Sequence, residues 1–416
     1  MSEFKTYTLE QLCIVGSSKR VHLSDYVQQG IPFYRSKEVI EISSGKNISE
    51  QLFISSEKYS EIKSKFPVPQ ENDVLITAVG TIGEILVVKD PNFYFKDGNL
   101  IWLRNIDFNI IDIDYLYYFF KSDLFQKTIK YNNIGAVQKA LTIDFLKTVK
   151  ITLPSLDNQR KLVSVLKSID KKIQTNNQII QELETMAKTL YDYWFVQFDF
   201  PDQNGKPYKS SGGKMVYNQD LKREIPEGWG VDKLDSLLKI GKETTNPKKF
   251  PNEEFKYYSI PEFDTTGTYS LERGESIKSN KFKVEKKDLL VSKLNPWFNR
   301  VIYNLEENAI SSTEFIVWKT FNRFEKNFLY QVATGKEFIE YCTRFATGTS
   351  NSHKRVSPDI MIGFQIPFEK TYIQKFGEII DSIRTQVLQN NEQNRELTRL
   401  RDWLLPMLMN GQVKVE

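Results

Sequence analysis

Two cysteines and two histidines, Cys13, Cys342, His22 and His353, are all the soft metal ligands that this chain of 416 residues carries. The cysteines stand far apart with no CxxC partner, which excludes a disulfide scaffold or a cysteine-rich metal site and suits a reducing compartment. Two histidines argue against a histidine-built zinc site or a Ser-His triad. Three short stretches touch on catalysis and fall short of it. "LNPWF" (residues 294–298) approaches the Asn-Pro-Pro-aromatic arrangement with which adenine methyltransferases hold a flipped base. Here Trp297 stands in place of the second Pro, and no Gly-rich strand-to-helix turn for S-adenosylmethionine lies upstream. "SSGGKM" has Tyr208 where a phosphate loop needs its first Gly, and Met215 where Ser or Thr must follow Lys. "PDQNGK" (residues 201–206) offers a nuclease-like acid and lysine without a strand or a second acidic partner. No catalytic, metal or cofactor residue is expected in this chain.

Chemistry that does not come from within must be positioned, and the positioning elements are unusually plain. "IQTNNQIIQEL" (residues 173–183) and "VLQNNEQNREL" (residues 387–397) say the same thing twice. At a shift of 214 residues, Ser168-Ile169 falls on Ser382-Ile383, Asn176-Asn177 on Asn390-Asn391, Glu182-Leu183 on Glu396-Leu397 and Leu190 on Leu404. Leu162, Leu166, Ile169, Ile173, Asn176, Ile180, Leu183, Ala187, Leu190 and Trp194 step by alternating four and three. Phe376, Ile380, Ile383, Val387, Asn390, Asn394, Leu397, Arg401, Leu404 and Leu408 fill the same slots in the second copy. A sustained 3.5-residue period predicts a coiled-coil seam, with helices of about 40 residues and roughly 60 Å. Two equal seams in one chain are expected to pack on each other. Asn176 and Asn390 then cost stability but penalise wrong registers.

Before each helix lies a segment of roughly 140–150 residues, rich in short β-like runs and turns. "FYRSKEV", "NDVLITAVGTIGEILVV" and "GNLIWLR" in the first correspond to "YYSIPEF", "KDLLVSKLNPWFNRVIY" and "STEFIVW" in the second. "IGAVQKALTIDFLKTVKITLP" likewise corresponds to "TGTSNSHKRVSPDIMIGFQIP": a Gly, a polar loop, a short amphipathic piece, and a strand ending at Pro154 or Pro367. The joint at 199–230 is rich in Gly, Pro, Lys and Ser, and reads as an ordered connector rather than a core. The length suits two or three domains. An ordinary apolar and charged content suits a soluble globular protein, and a net charge of +4 allows nucleic acid without demanding it. No signal pattern or run of roughly 18–20 apolar residues appears, so a cytoplasmic location and no membrane contact are expected.

Candidate contacts to a polyanion lie in the basic and polar clusters at non-helical positions. In the first segment these are Lys19, Arg20, Arg35, Ser36, Lys37, Thr77, Thr81, Gln138 and Lys139. In the second they are Lys242, Lys293, Asn295, Asn299, Arg300, Ser350, Asn351, His353, Lys354 and Arg355. Arg and Lys suit phosphates and guanine edges, while Asn and Gln suit adenine. The two loops after the glycines carry most weight, because the repeat keeps the loop while "AVQKA" and "TSNSHKR" differ completely.

The order of parts, "LPSLDNQRKLVSVLKSID", "LYDYWFVQFDFPDQNGKPYKSSGGKMVYN…EIPEGW" and "LTRLRDWLLPMLMNGQV" resemble the specificity (S) subunit of type I restriction–modification enzymes, over the whole chain. The resemblance implies an α+β architecture: two α/β target-recognition domains separated by two long antiparallel coiled-coil helices, with an internal pseudo-twofold repeat. The implied domains are 1–154 and 231–368 for recognition, 155–200 and 369–416 for the helical regions, and 201–230 for the connector. It further implies a non-catalytic reader of a bipartite, non-palindromic site in double-stranded DNA. Such a reader docks two modification (M) subunits, which hold S-adenosylmethionine and methylate adenine, and restriction (R) subunits, which use ATP and Mg. A self-contained methylation or restriction enzyme and a coiled-coil protein adaptor are the alternatives. The missing cofactor loop argues against the first, and the basic polar loops against the second.

Overall fold

The computed structural model describes residues 4–132, 140–348 and 353–409. It divides into two compact units, residues 1–175 with 393–416 and residues 176–392. In the first unit the runs "VLIT" and "LIWLR" are buried along their length, as central strands flanked on both faces must be. They lie in an antiparallel sheet of order Ile14–Gly16, Leu100–Arg104, Val74–Thr77, Ile85–Val87. The second unit repeats that order with Leu238–Gly241, Phe315–Thr320, Asp288–Ser292 and Val301–Tyr303.

The repeat reaches single hydrogen bonds. The carboxylate of Asp73 accepts from the Gln70 N–H at 2.8 Å, and that of Asp288 from the Glu285 N–H at 2.8 Å. Both aspartates are buried and both have pKa values raised chiefly by desolvation. Each domain adds a second sheet built on a parallel pair, Ile31–Tyr34 with Tyr94–Phe95 and Glu254–Tyr258 with Ala309–Ser311. The two differ in the strands added around that pair. Each domain is closed by an antiparallel pairing of an early strand with the strand before the long helix, Lys5–Thr8 with Lys150–Leu153 and Gly230–Lys233 with Gln365–Phe368.

The long helices are α1 (Leu156–Tyr191) and α2 (Lys370–Met409). Every one of the twenty predicted seam residues is buried or half-buried, and Asn176 is fully buried. In the first unit, Leu162 and Leu166 share a core with Leu405 and Leu408, and Asp170 pairs with Arg401 at 3.0 Å. In the second, Glu184 pairs with Arg384 at 2.6 Å, while Trp194 meets the Tyr372 ring with centroids 6.3 Å apart. In each unit the facing number falls as α1 advances, so the paired segments run antiparallel. Two mixed α/β domains with repeated sheet order, two long helices and antiparallel pairing of those helices within each unit agree with the expectation.

The joint departs from its reading. Several of its aromatic residues belong to the core of the second unit: Phe200 and Trp229 are buried with the preceding Phe198, and Phe200 stacks between Tyr208 (4.8 Å) and Trp229 (4.9 Å). Asp199 accepts from the Ser210 N–H and hydroxyl at 2.7 and 2.6 Å, which ties the Gly-rich turn down. Polar composition concealed a small cluster of rings that one side of the connector buries.

Candidate nucleic-acid interface

In both domains the turn after the third sheet strand is bridged to the segment that follows the post-glycine loop. Val79 bridges Ala140 in the first, Leu294 bridges Arg355 in the second. The Leu141 N–H donates to the Ala78 carbonyl at 2.9 Å, and the Val356 N–H to the Lys293 carbonyl at 3.1 Å. Gly80 and Asn295 both take positive φ, +80° and +48°, immediately beyond the bridge. Glycine does so freely, and asparagine is among the side chains that tolerate it.

In the first domain the turn at Asn99 gathers three of the predicted clusters. Its carbonyl accepts from the Ala78 N–H (2.8 Å) and the Ser36 hydroxyl (3.3 Å), and the neighbouring Leu100 carbonyl accepts from the Ser17 hydroxyl (3.3 Å). Lys19 and Arg20 continue from there, exposed, with the Lys19 ammonium 4.6 Å from the Phe66 ring and Arg20 paired to Asp97 at 3.1 Å. Arg35 is committed inward: its guanidinium grips the buried Glu38 at 2.7 Å and reaches Glu50 at 3.3 Å. The Glu38 hydrogen bond raises the Arg35 pKa, and hydrogen bonds from Arg35 and then Lys37 lower that of Glu50. Thr81 is exposed at the tip of its turn. Thr77 needs correction as a contact residue. It is fully buried, its hydroxyl donates to the Thr81 carbonyl at 2.6 Å and accepts from the Glu84 N–H at 2.9 Å. It shapes the turn that presents Thr81.

In the second domain Lys293, Asn295, Asn299, Arg300, Lys354 and Arg355 come together. The Asn295 N–H donates to the Lys354 carbonyl at 2.7 Å, and its side-chain oxygen accepts from the Lys354 N–H at 2.9 Å. The Lys293 N–H donates to the Glu314 carbonyl at 2.9 Å. Arg355 pairs with the Glu314 carboxylate at 3.0 Å, a bond that raises its pKa. Arg300 grips Asp264 with both arms, at 2.5 and 2.7 Å. His353 is exposed at the edge of this cluster. Lys242 is also exposed, but no hydrogen bond or ion pair among the described residues joins it to the others. Gln138, Lys139, Ser350 and Asn351 lie outside the described residues.

Two aromatic side chains lie within the same basic stretch, residues 292–300, which the sequence offered as a candidate contact cluster. Trp297 and Phe298 stand on the bridged turn, 37% and 57% exposed. Among the described residues no group of His, Cys, Asp and Glu could hold a metal ion, and no helix is long and apolar enough to cross a membrane. What the arrangement offers is a pair of turns, cation-rimmed, on matching scaffolds with different residues at their tips.

Residues 1–185 match the type I restriction modification DNA specificity domain. The chain is 26% identical to the type I restriction enzyme MjaIX specificity subunit of Methanocaldococcus jannaschii, over 96% of this chain and 91% of that one. It is 33% identical to the putative type I restriction enzyme specificity subunit S.HindORF215P of Haemophilus influenzae, over 42% and 43% of the two chains. Its fold is similar to that of the crystallised type I restriction–modification S subunit from M. genitalium, with a TM-score of 0.56 at 16% identity, over 98% and 96%. A specificity-domain match over residues 1–185, relatedness along most of the chain and a repeated two-domain fold agree with one another: the chain is similar to the specificity subunits of type I restriction–modification enzymes.

Proposed function

We propose that this chain is the non-catalytic DNA-reading subunit of a type I restriction–modification system. Each recognition domain reads half of a bipartite, non-palindromic site. The helices set the spacing and dock M subunits, which supply S-adenosylmethionine and methylate adenine, and R subunits, which supply ATP-driven cleavage. Recognition is assigned to 1–154 and 231–368, spacing and docking to 155–200 and 369–416, and the joint between halves to 201–230. The observation that carries this reading is the pair of bridges, Val79 to Ala140 and Leu294 to Arg355. A scaffold repeated to the hydrogen bond, with unlike residues at its tips, is what two readers of different bases require.

The proposed contacts are Lys19, Arg20, Ser36, Lys37, Thr81, Gln138 and Lys139 in the first domain. In the second they are Lys242, Lys293, Asn295, Asn299, Arg300, Ser350, Asn351, His353, Lys354 and Arg355. Arg35 acts through its exposed edge while Glu38 holds it. Exposed ion pairs such as Arg20–Asp97 and Arg355–Glu314 are individually weak, so a phosphate can displace the carboxylate at small cost.

The test is methyl transfer to adenine by the purified chain alone, by its M partner alone, and by the two together. Sequence-specific transfer only in the mixture, with duplex affinity falling steeply as salt rises, is the expected result. Transfer by the chain alone overturns the assignment.

A further inference from the structure

We propose that the turn at 294–299 is an aromatic wedge, which the second recognition domain sets against the base steps of its half-site through Trp297 and Phe298. This rests on the DNA-reading role argued above and names a contact within it. The turn is built to hold a shape. Pro296–Phe298 form a single tight helical turn, and Asn295 and Asn299 on either side both take left-handed backbone, at φ +48° and +50°. Two consecutive bends of that kind flanking a buried proline persist only where the surroundings over-determine them. Asn295 supplies that determination: it is 8% exposed and makes the two hydrogen bonds to the Lys354 backbone. The rigid base leaves the two large rings outside it, with centroids 6.0 Å apart.

Single exposed aromatics need no explanation, but a pair on an immobilised tip rimmed by cations is a different object. The Arg300 guanidinium lies 4.5 Å from the Phe298 ring centroid and is itself fixed by Asp264. Lys293, Lys354 and Arg355 stand on the two segments that the isolated bridge joins, so four cations accompany two carboxylates, Asp264 and Glu314. Asp264 and Glu314 answer Arg300 and Arg355, and an apolar protein partner would leave Lys293 and Lys354 desolvated without counter-charge. A nucleic-acid duplex satisfies both parts, with phosphates for the cations and base faces for the rings. Aromatic and apolar side chains unstack flexible pyrimidine–purine steps when they insert, which makes the sequence at the step part of the recognition. The equivalent turn of the first domain carries Val79, Gly80 and Thr81, with no ring. The wedge is therefore a property of one half-site alone.

The experiment uses the full chain assembled with its M partner and maps methylation genome-wide for the wild type, W297A/F298A and W297F/F298Y. In W297A/F298A the first half-site stays unchanged and the second becomes tolerant at one step. Cognate affinity falls roughly ten- to hundredfold, the range for losing aromatic stacking on one base. The salt dependence of binding stays as in the wild type, since no phosphate contact is removed, and W297F/F298Y retains most of the affinity. W297Q/F298Q serves as a second variant that keeps exposed polar volume should the alanine pair lower the melting temperature. An unchanged motif and affinity in both variants overturns the wedge, as does equal relaxation of both half-sites, which reports impaired assembly. A wild-type complex that methylates without sequence preference overturns the DNA-reading role itself, and the wedge with it.

Discussion

Lys326 is nearly sealed from water beneath the second domain, where its ammonium donates to the carbonyls of Lys286 at 2.8 Å and Asn304 at 2.5 Å and lies 3.8 Å from the Tyr303 ring centroid. Burial pulls its pKa down to about 7; Asp288 opposes the shift, while Arg384, Arg323 and Lys286 reinforce it. The folded pKa lies below the ordinary 10.5, so between those values the unfolded chain binds more protons than the native one. Stability must then rise with pH from about 7 to about 10 and be lost as pH falls through about 7, at up to about 1.4 kcal/mol per pH unit for one group. Lys326→Met should be less stable than wild type at pH 9 by roughly 1–3 kcal/mol, because two buried carbonyls lose their donor. The gap between the two proteins should narrow steadily towards pH 7 in chemical denaturation. A gap of constant size would mean that the ammonium stays charged in its pocket.

Among the elements, the short helices of each domain are latched to the long ones. The Tyr118 hydroxyl donates to Asp170 at 2.6 Å in the first unit. In the second, Asn327 donates to the Gly377 carbonyl at 2.9 Å, Arg323 pairs with Asp381 at 2.5 Å, and Arg384 lies 4.1 Å from the Tyr330 ring centroid while gripping Glu184. Arg384→Ala should cost about 3 kcal/mol by denaturant unfolding, at the low end for breaking a buried pair because Glu184 keeps access to water. Arg384→Lys should recover little of it, since an ammonium cannot reproduce a planar, two-armed contact stacked on a ring. Asn176 and Asn390 pull the other way. Asn176→Leu with Asn390→Leu should raise the melting temperature, by roughly 2–4 °C for each kcal/mol gained, while hydrogen exchange along α1 and α2 becomes less protected as registers slip. A double variant that melts lower would contradict their place in the seam.

For the whole molecule the proposed role makes α1 and α2 a ruler. Deleting seven residues from each, 172–178 and 386–392, keeps the seam phase and shortens the spacer by about 10 Å. At about 3.4 Å per base pair that is roughly three base pairs, with a rotation of about 100° around the duplex. The matched deletion should fold, lose the original site, and methylate a site with unchanged halves and a shorter gap. Deleting one segment alone should mostly abolish assembly with the M partner. Continued methylation of the original site by the matched deletion would dismiss the ruler.

Much of this was legible in the order of residues, and the reason is locality. A seam depends on neighbours three and four positions away, so Leu162 to Trp194 and Phe376 to Leu408 could be placed before any coordinates, and each is buried or half-buried. The repeat followed from the same arithmetic. Tertiary structure decided which side chains face outward. Thr77 turned inward because its hydroxyl closes its own turn, Arg35 because Glu38 is buried beside it, and Phe198, Phe200 and Trp229 because Tyr372 of α2 completes their cluster. Trp297 and Phe298 were left outside by bonds from Asn295 to Lys354, across 59 residues of sequence. Exposure is a property of contacts made far along the chain, and no local period encodes it.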